Sequence, residues 1–141
     1  MKLRAALDTN VVLSGLRSQR GAAHELLRRL RAGHWTLVLS NPALTEYEEV
    51  LKREAASLGL TLPEVDRFLD GLCVLAEQCH PAGNWVPLLS DPDDEAFAHL
   101  AVDARADALA TFNIGHFAPA RTRGIPVMTP AEFLAMLRST P

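Results

Sequence analysis

Short apolar runs alternate with amphipathic stretches along this chain. The runs that predict buried β-strands lie at 3–7, 35–39, 108–111 and 125–128. Segment 74–79 either ends a helix or forms a further short strand, because periodicity alone does not separate the two. Helices are predicted between these runs, at 9–17, 21–32, from 41–42, from Pro63, at 92–104 and at 130–137. This alternation, with no hairpin signal, predicts an α/β protein: a three-layer α/β/α sandwich around a parallel sheet.

Length and composition narrow the class of protein further. The 141 residues predict a single domain, 1–141, and 48% hydrophobic residues are enough for a full core. No apolar run approaches the roughly 20 residues of a membrane-spanning helix, and the chain start lacks the apolar core of a signal peptide. Two Cys residues cannot make a disulfide framework. We therefore expect a cytoplasmic protein with no membrane partner.

Oxygen-bearing side chains gather after the predicted strands and at the start of the helix at 92–104. They are Asp8, Asn10, Glu46, Asp91, Asp93, Asp94, Thr111 and Asn113. In parallel sheets, ligands bind outside the carboxyl ends of the strands, so these side chains are expected to share one edge. Carboxylate and amide oxygens suit a hard cation such as Mg²⁺ or Mn²⁺, which can activate water at a phosphate.

Each acidic segment also has a simpler interpretation. Asp8 could be a turn or cap residue, Glu46 a solvated helix residue, and the run 91–95 an acidic first turn that stabilises its helix. Together the three segments favour a site, because adjacent uncompensated carboxylates repel one another and need a cation or protons.

Five ordered motifs resemble the PIN-domain family, with the closest likeness to toxins of bacterial toxin–antitoxin systems. They are Leu-Asp-Thr-Asn-Val at 7–11, Ser-Asn-Pro to Glu at 40–46, Asp-Pro-Asp-Asp-Glu at 91–95, Thr-Phe-Asn-Ile-Gly-His-Phe at 111–117, and Gly-Ile-Pro-Val-Met-Thr-Pro to Phe-Leu at 124–134. Each motif alone is weak. The set, in the family's order and spacing over essentially the whole chain, is specific.

The resemblance implies a toxin that is a Mg²⁺- or Mn²⁺-dependent endoribonuclease with a five-stranded parallel sheet. Such an enzyme hydrolyses RNA phosphodiester bonds with metal-activated water at an acidic site that holds one or two cations. The implied partners are the RNA substrate, a cognate antitoxin that covers the acidic groove, and a second copy of the chain in a homodimer.

Residue by residue, the resemblance assigns roles to most of the candidate site residues. The catalytic residues are Asp8, Glu46 and Asp94; the metal ligands are Asp8, Asp94, Asp91 as an auxiliary, and Asn113; the substrate contacts are Asn10 and Thr111. Two further substrate contacts are expected from position and chemistry: Arg17, which follows the first motif and whose guanidinium suits phosphate, and His116, at the edge of the site. Asn113 departs from the family pattern, in which an Asp is common. An amide oxygen can bind a hard cation but carries no charge, so a weaker second metal site, or a single cation, is expected.

Three other hypotheses remain for comparison with the structure. The Asn113 departure leaves open a catalytically degenerate PIN module that binds RNA or a protein partner. A phosphate-accepting Asp8 would need a nearby Lys, and Lys2 and Lys52 are the only two. Trp85, in the predicted loop 81–90, could stack on a base or cover the edge of the core.

Overall fold

The structure, a computed structural model, describes residues 2–140. Within this range five strands form one sheet: β1 (Arg4–Leu7), β2 (Thr36–Leu39), β3 (Glu77–Gln78), β4 (Ala108–Ala110) and β5 (Val127–Met128). The strand order is β3-β2-β1-β4-β5, and every neighbouring pair is parallel. The predicted parallel sheet is confirmed. Met1 and Pro141, the ends of the predicted domain, lie outside the described residues.

Helices occupy most of the intervening chain. They are α1 (Thr9–Arg17), α2 (Ala22–Arg31), α3 (Asn41–Arg53), α4 (Ala55–Leu58), α5 (Leu62–Leu75), α6 (Pro92–Ala104), α7 (Ile114–Phe117) and α8 (Pro130–Ser139), with a 3₁₀ helix at Ala118–Arg123. Segment 74–79 combines both predicted alternatives, since α5 ends at Leu75 and β3 follows two residues later. The α4, α7 and 3₁₀ helices were not predicted, because four to six residues are too few to show a helical period.

The two helices that carry the predicted acids begin with side-chain caps. Ser40 Oγ accepts a hydrogen bond from the Ala43 N–H at 3.3 Å, with Pro42 in the first turn of α3. Asp91 Oδ1 accepts one from the Asp93 N–H at 3.0 Å at the start of α6. These caps fix where each helix starts and therefore which of its residues face the sheet edge.

The helices flank the sheet as an α/β/α sandwich. Helix α6 packs on β1, β2 and β4 and against α3, α3 packs on α5, and α2 packs on α8. The fully buried aromatic side chains of the core are Trp35, Tyr47, Phe97, Phe117 and Phe133. Every helix in residues 2–140 is too short or too polar to cross a lipid bilayer.

The strand order places a crevice beside β1. The chain moves outward from β1 to β2 and β3, then crosses back to place β4 on the other side of β1. Such a reversal leaves an opening at the carboxyl ends of the two central strands, where ligands bind in sheets of this type. Asp8 follows β1 and Thr111 follows β4, so both lie at this point.

Candidate active site

A pocket of about 200 Å³ opens at the carboxyl end of β1. Its lining residues are Asp8, Thr9, Asn10, Leu13, Glu46, Val50, Asp93, Asp94, Phe97 and Asn113. The structure thus brings the three predicted catalytic carboxylates together with the predicted Asn10 and Asn113. They come from four separate segments of the chain, and the strand order is what unites them.

Asp8 is not used as a helix cap, which removes the simpler interpretation of this residue. It occupies the N-cap position of α1, but its side chain makes no capping hydrogen bond. Instead Asp8 Oδ2 accepts a hydrogen bond from the Thr111 hydroxyl at 2.7 Å, and the residue is only 5% exposed. Thr111 Oγ1 in turn accepts from the Asn113 N–H at 2.9 Å. Thr111 therefore orients the Asp8 carboxylate and holds the turn after β4 against it.

Tyr47 connects the segments that carry the three acids. Its hydroxyl donates to the Leu7 carbonyl at 2.5 Å, so α3 is tied to the residue before Asp8. The Tyr47 ring stacks on Phe97, with ring centroids 5.6 Å apart, and Phe97 lies one turn after Asp94 on α6. Both aromatic residues are fully buried. This packing positions Glu46, the neighbour of Tyr47, so that it lines the same pocket as Asp94.

Two other predicted site residues, His116 and Asp91, lie near Asp94 but outside the pocket lining. His116 Nδ1 lies 3.7 Å from Asp94 Oδ2, and the imidazole is mostly exposed at the pocket edge. Asp91 caps α6 and does not line the pocket, although its charge contributes to raising the pKa of both Asp8 and Asp94. Asp91 is thus close enough to act on the site electrostatically while serving the structural role that its position suggested.

All three pocket carboxylates have raised pKa values. Burial raises the pKa of Asp8, and the Thr111 hydrogen bond offsets part of that effect. Burial followed by the Asp8 charge raises the pKa of Asp94 to about 6. Burial and the charge of Asp93 raise the pKa of Glu46. Carboxylates that are desolvated and near one another favour protons or a bound cation over free negative charge.

The raised pKa of Asp94 gives the metal-free protein a specific pH dependence. Its folded pKa, about 6, exceeds the ordinary 3.8, so its stabilising contribution is present below pH 3.8 and is lost as pH rises through 6. In chelator, the free energy of unfolding of Asp94→Asn should therefore increase relative to wild type between pH 4 and pH 7. Urea denaturation at several pH values measures this difference.

Glu132→Gln is the control for that series. Backbone hydrogen bonding from Thr129 lowers the pKa of Glu132, so this carboxylate stabilises the fold above pH 4.5 and stops doing so as pH falls. The stability of Glu132→Gln relative to wild type should decrease between pH 4 and pH 7, opposite to Asp94→Asn. A difference for Asp94→Asn that stays constant with pH would contradict the raised pKa.

The chemistry of the pocket fits a hard divalent cation. Within residues 2–140 no three His, Cys, Asp or Glu side chains converge closely enough to hold a metal ion by themselves. Mg²⁺ does not require such a cage, because it is commonly bound by one or two carboxylates and keeps several waters. Asp8 and Asp94 are pocket carboxylates that could bind such an ion. Thr9, which lines the pocket, has a buried Oγ1 with no hydrogen-bond partner among the described residues, so a polar group of a ligand could satisfy it.

Other predicted residues are engaged outside the pocket. Arg17 Nη2 lies 3.6 Å from Glu54 Oε2, and Arg17 is not among the pocket-lining residues. Lys52 pairs with Glu48 and Asp66 at 3.1 and 3.0 Å. The structure therefore places no Lys52 amine beside Asp8 to support a phosphate-accepting role.

Trp85 is used within the fold. Its ring stacks on His99 at 4.6 Å between centroids, and its Nε1–H donates to Glu95 at 2.7 Å. Glu95 also accepts hydrogen bonds from the backbone N–H groups of Leu88 and Leu89. This carboxylate therefore fastens the 81–90 loop to α6, and Trp85 covers the core edge, as one of its two interpretations proposed.

Two polar residues that line the pocket, Thr9 and Asp93, received no individual role from the sequence, although Asp93 was among the side chains expected at this edge. Asp93 follows the capping residue Asp91 by two positions and reads as part of an acidic first turn. Thr9 is a first-turn residue of α1 and is 7% exposed. The sequence feature that could have identified them is that Asp93 directly precedes Asp94 and Thr9 directly follows Asp8. Which neighbour of an acid also faces the pocket depends on helix packing, which the linear sequence does not specify.

Comparison with known proteins agrees with this geometry. A sequence profile described as the PIN domain matches residues 4–115, from the first residue of β1 into α7, and so includes every acid of the pocket. No curated protein matches the chain. PIN domains are generally nucleases and typically use divalent metals. Since the profile covers most of the sequence and the sheet has the expected parallel architecture, the chain belongs to the PIN-domain family and has a nuclease-type fold.

Proposed function

We propose that this protein is a Mg²⁺- or Mn²⁺-dependent endoribonuclease that acts as the toxin of a type II toxin–antitoxin system. The observation that carries the proposal is the convergence of Asp8, Glu46 and Asp94 on one pocket at the carboxyl end of β1, with no Lys or Arg side chain among its lining residues. A divalent cation there would activate water and neutralise charge on the phosphate undergoing cleavage.

The residues of the pocket would have different roles in the reaction. Asp8, oriented by Thr111, and Asp94 would hold the cation, with Asp91 adding negative potential and Asn113 offering a neutral oxygen. Glu46, whose pKa is raised, can accept a proton from the attacking water. Asn10, which lines the pocket, and His116, 3.7 Å from Asp94, would contact the RNA backbone. Arg17, which is paired with Glu54 outside the pocket, would contact the RNA further along the strand.

The toxin role is tested by expression of the chain alone in bacteria. Growth should stop on induction, and Asp8→Asn should restore it at equal protein level, because the variant loses a cation ligand and keeps a side chain of the same shape. Asp66→Asn, which removes a carboxylate that pairs with Lys52 outside the pocket, is the matched control and should still arrest growth. Normal growth with well-expressed wild type would contradict the toxin role.

The antitoxin would cover the acidic pocket and insert an Arg or Lys near Asp8 and Asp94, because an uncompensated acidic groove attracts a basic side chain. We also propose that the chain forms a homodimer. Co-expression with the product of the neighbouring reading frame tests the first point, by relief of growth arrest and by co-purification. Light scattering of the purified protein tests the second.

Asn113 favours one alternative function. It lines the pocket where the family commonly has an Asp, so the site has one negative charge fewer. The alternative is a catalytically degenerate PIN module that binds RNA or a protein partner through the same pocket. RNA binding by the purified protein without cleavage at any Mg²⁺ or Mn²⁺ concentration would support this alternative over the enzyme.

A further inference from the structure

Phe112 is the one Phe, Tyr or Trp side chain of residues 2–140 that the fold leaves open to solvent. All five Phe, both Trp and the single Tyr lie in residues 2–140, and Phe112 alone is exposed, at 51% of its surface. The others are buried in the core or, as with Phe68 and Trp85, partly covered. An exposed phenyl ring contributes little to folding, because the hydrophobic effect requires removal of apolar surface from water. Its location is therefore the informative feature.

Phe112 adjoins the acidic pocket through its sequence neighbours and is not itself one of the lining residues. It lies between Thr111, which donates to Asp8, and Asn113, which lines the pocket. Its N–H is directed at Asn10 Oδ1, 3.5 Å away, at the start of α1. Phe112 lies two residues after the end of β4, the strand that pairs with β1.

The charges around the pocket give a reason for an aromatic contact. Affinity for nucleic acid usually comes from Lys and Arg neutralising phosphates. Here the net charge is −3, the pocket is lined by carboxylates, and Arg17 and Lys52 are paired with acidic groups. Stacking of a base on an aromatic ring does not depend on net charge, and it is the other main source of affinity for unpaired strands.

We propose that Phe112 is a stacking platform for a nucleobase adjacent to the phosphate at the acidic pocket. This inference deepens the proposed ribonuclease function and rests on it. In a duplex both faces of each base are covered by its neighbours, so a base can stack on Phe112 only in a loop, a bulge or a single strand.

The test is binding and cleavage of one labelled oligoribonucleotide, single-stranded or annealed to its complement. Binding is followed by fluorescence anisotropy in chelator and in Mg²⁺, and cleavage in Mn²⁺. The variants are Phe112→Ala, Phe112→Leu, which keeps apolar bulk without a π face, and Phe112→Trp, which keeps the face. Val74→Ala, which trims a side chain 85% exposed on α5, is the matched control.

Loss of one stacked base should weaken binding of the single strand and raise KM about tenfold in Phe112→Ala. Phe112→Leu should be intermediate, and Phe112→Trp and Val74→Ala should stay within twofold of wild type. The duplex should bind more weakly than the single strand and be insensitive to position 112. The value of kcat should change less than threefold and the melting temperature should not change. If Phe112 had only a structural role, the melting temperature would fall and KM would not change selectively.

The outcomes separate this inference from the proposed function. Binding that depends on Phe112 without any cleavage would support the platform and contradict the enzyme. Cleavage with Phe112→Ala equal to wild type in binding and KM would overturn the platform and leave the enzyme intact. Equal dependence of duplex and single strand on Phe112, or the absence of RNA binding by wild type, would also overturn the platform.

Discussion

Asp8→Asn is expected to lower kcat/KM for RNA cleavage at least a thousandfold while the protein stays folded. Asp8 is the buried carboxylate at the centre of the pocket, and its replacement removes one full charge from the cation site. At an effective dielectric constant of about 20, a unit-charge interaction at 4 Å amounts to roughly 4 kcal/mol. A loss of that size in transition-state stabilisation corresponds to about a thousandfold in rate.

The variant should fold because the change is close to isosteric. The Asn side-chain oxygen can still accept the Thr111 hydrogen bond that Asp8 accepts at 2.7 Å. Removal of the charge also relieves repulsion with Asp94, whose pKa Asp8 helps to raise to about 6. At pH 7 in chelator, Asp8→Asn should be at least as stable as wild type by urea denaturation. Asp66→Asn should cleave within twofold of wild type, and an Asp8→Asn variant with more than a tenth of wild-type activity would refute the assignment.

The second large effect is expected at Asn113. Asn113→Asp should tighten Mn²⁺ binding between tenfold and thirtyfold by titration calorimetry, because it adds a negative charge to the pocket lining. The gain in cation affinity should be smaller than the full Coulomb energy, since the new carboxylate repels Asp8 and Asp94 and replaces water that would otherwise coordinate the cation. For the same reason the metal-free variant should be less stable than wild type, and Mn²⁺ should raise its melting temperature by more.

Asn84→Asp is the matched control for charge. It adds the same carboxylate to the exposed 81–90 loop, away from the pocket lining, and should leave Mn²⁺ affinity within twofold of wild type. If Asn113→Asp also left the affinity unchanged, position 113 would not face the cation. The interpretation of the fourth motif would then be wrong.

The acids of the pocket could be predicted from the sequence because the ends of buried strands can be recognised there. Buried parallel strands read as apolar runs, and their carboxyl ends share one edge of the sheet, so Asp8, Glu46 and Asp94 were expected to meet. Phe97 and Ala101, three and seven residues after Asp94, are both fully buried, so Asp94 shares the inward-facing side of α6 with them.

Features that depend on packing between distant segments could not be predicted from the sequence. β3 consists of two exposed polar residues, Glu77 and Gln78, and gives no hydrophobic signal. The hydrogen bond of Tyr47 to Leu7 and its stack on Phe97 join segments that are far apart in the sequence. No local pattern encodes those contacts.

Arg17 lies outside the pocket lining although it is close to the first motif in sequence. It follows the first motif closely and suits phosphate chemically, so it was predicted to contact RNA. It is also the last residue of α1, nine residues after Asp8, which places it about 13 Å further along the helix axis. There it meets Glu54 of the segment after α3.

RNA cleavage by the wild-type protein as a function of free Mn²⁺ tests the central claim most directly. A labelled oligoribonucleotide is incubated with protein freed of metal by chelator, and Mn²⁺ is then added in steps, with Asp8→Asn treated in parallel. Wild type is predicted to show no cleavage in chelator and a saturable return of cleavage with Mn²⁺, which Asp8→Asn lacks at every concentration. Equal cleavage by wild type in excess chelator and in Mn²⁺ would contradict a cation-dependent site formed by Asp8, Glu46 and Asp94.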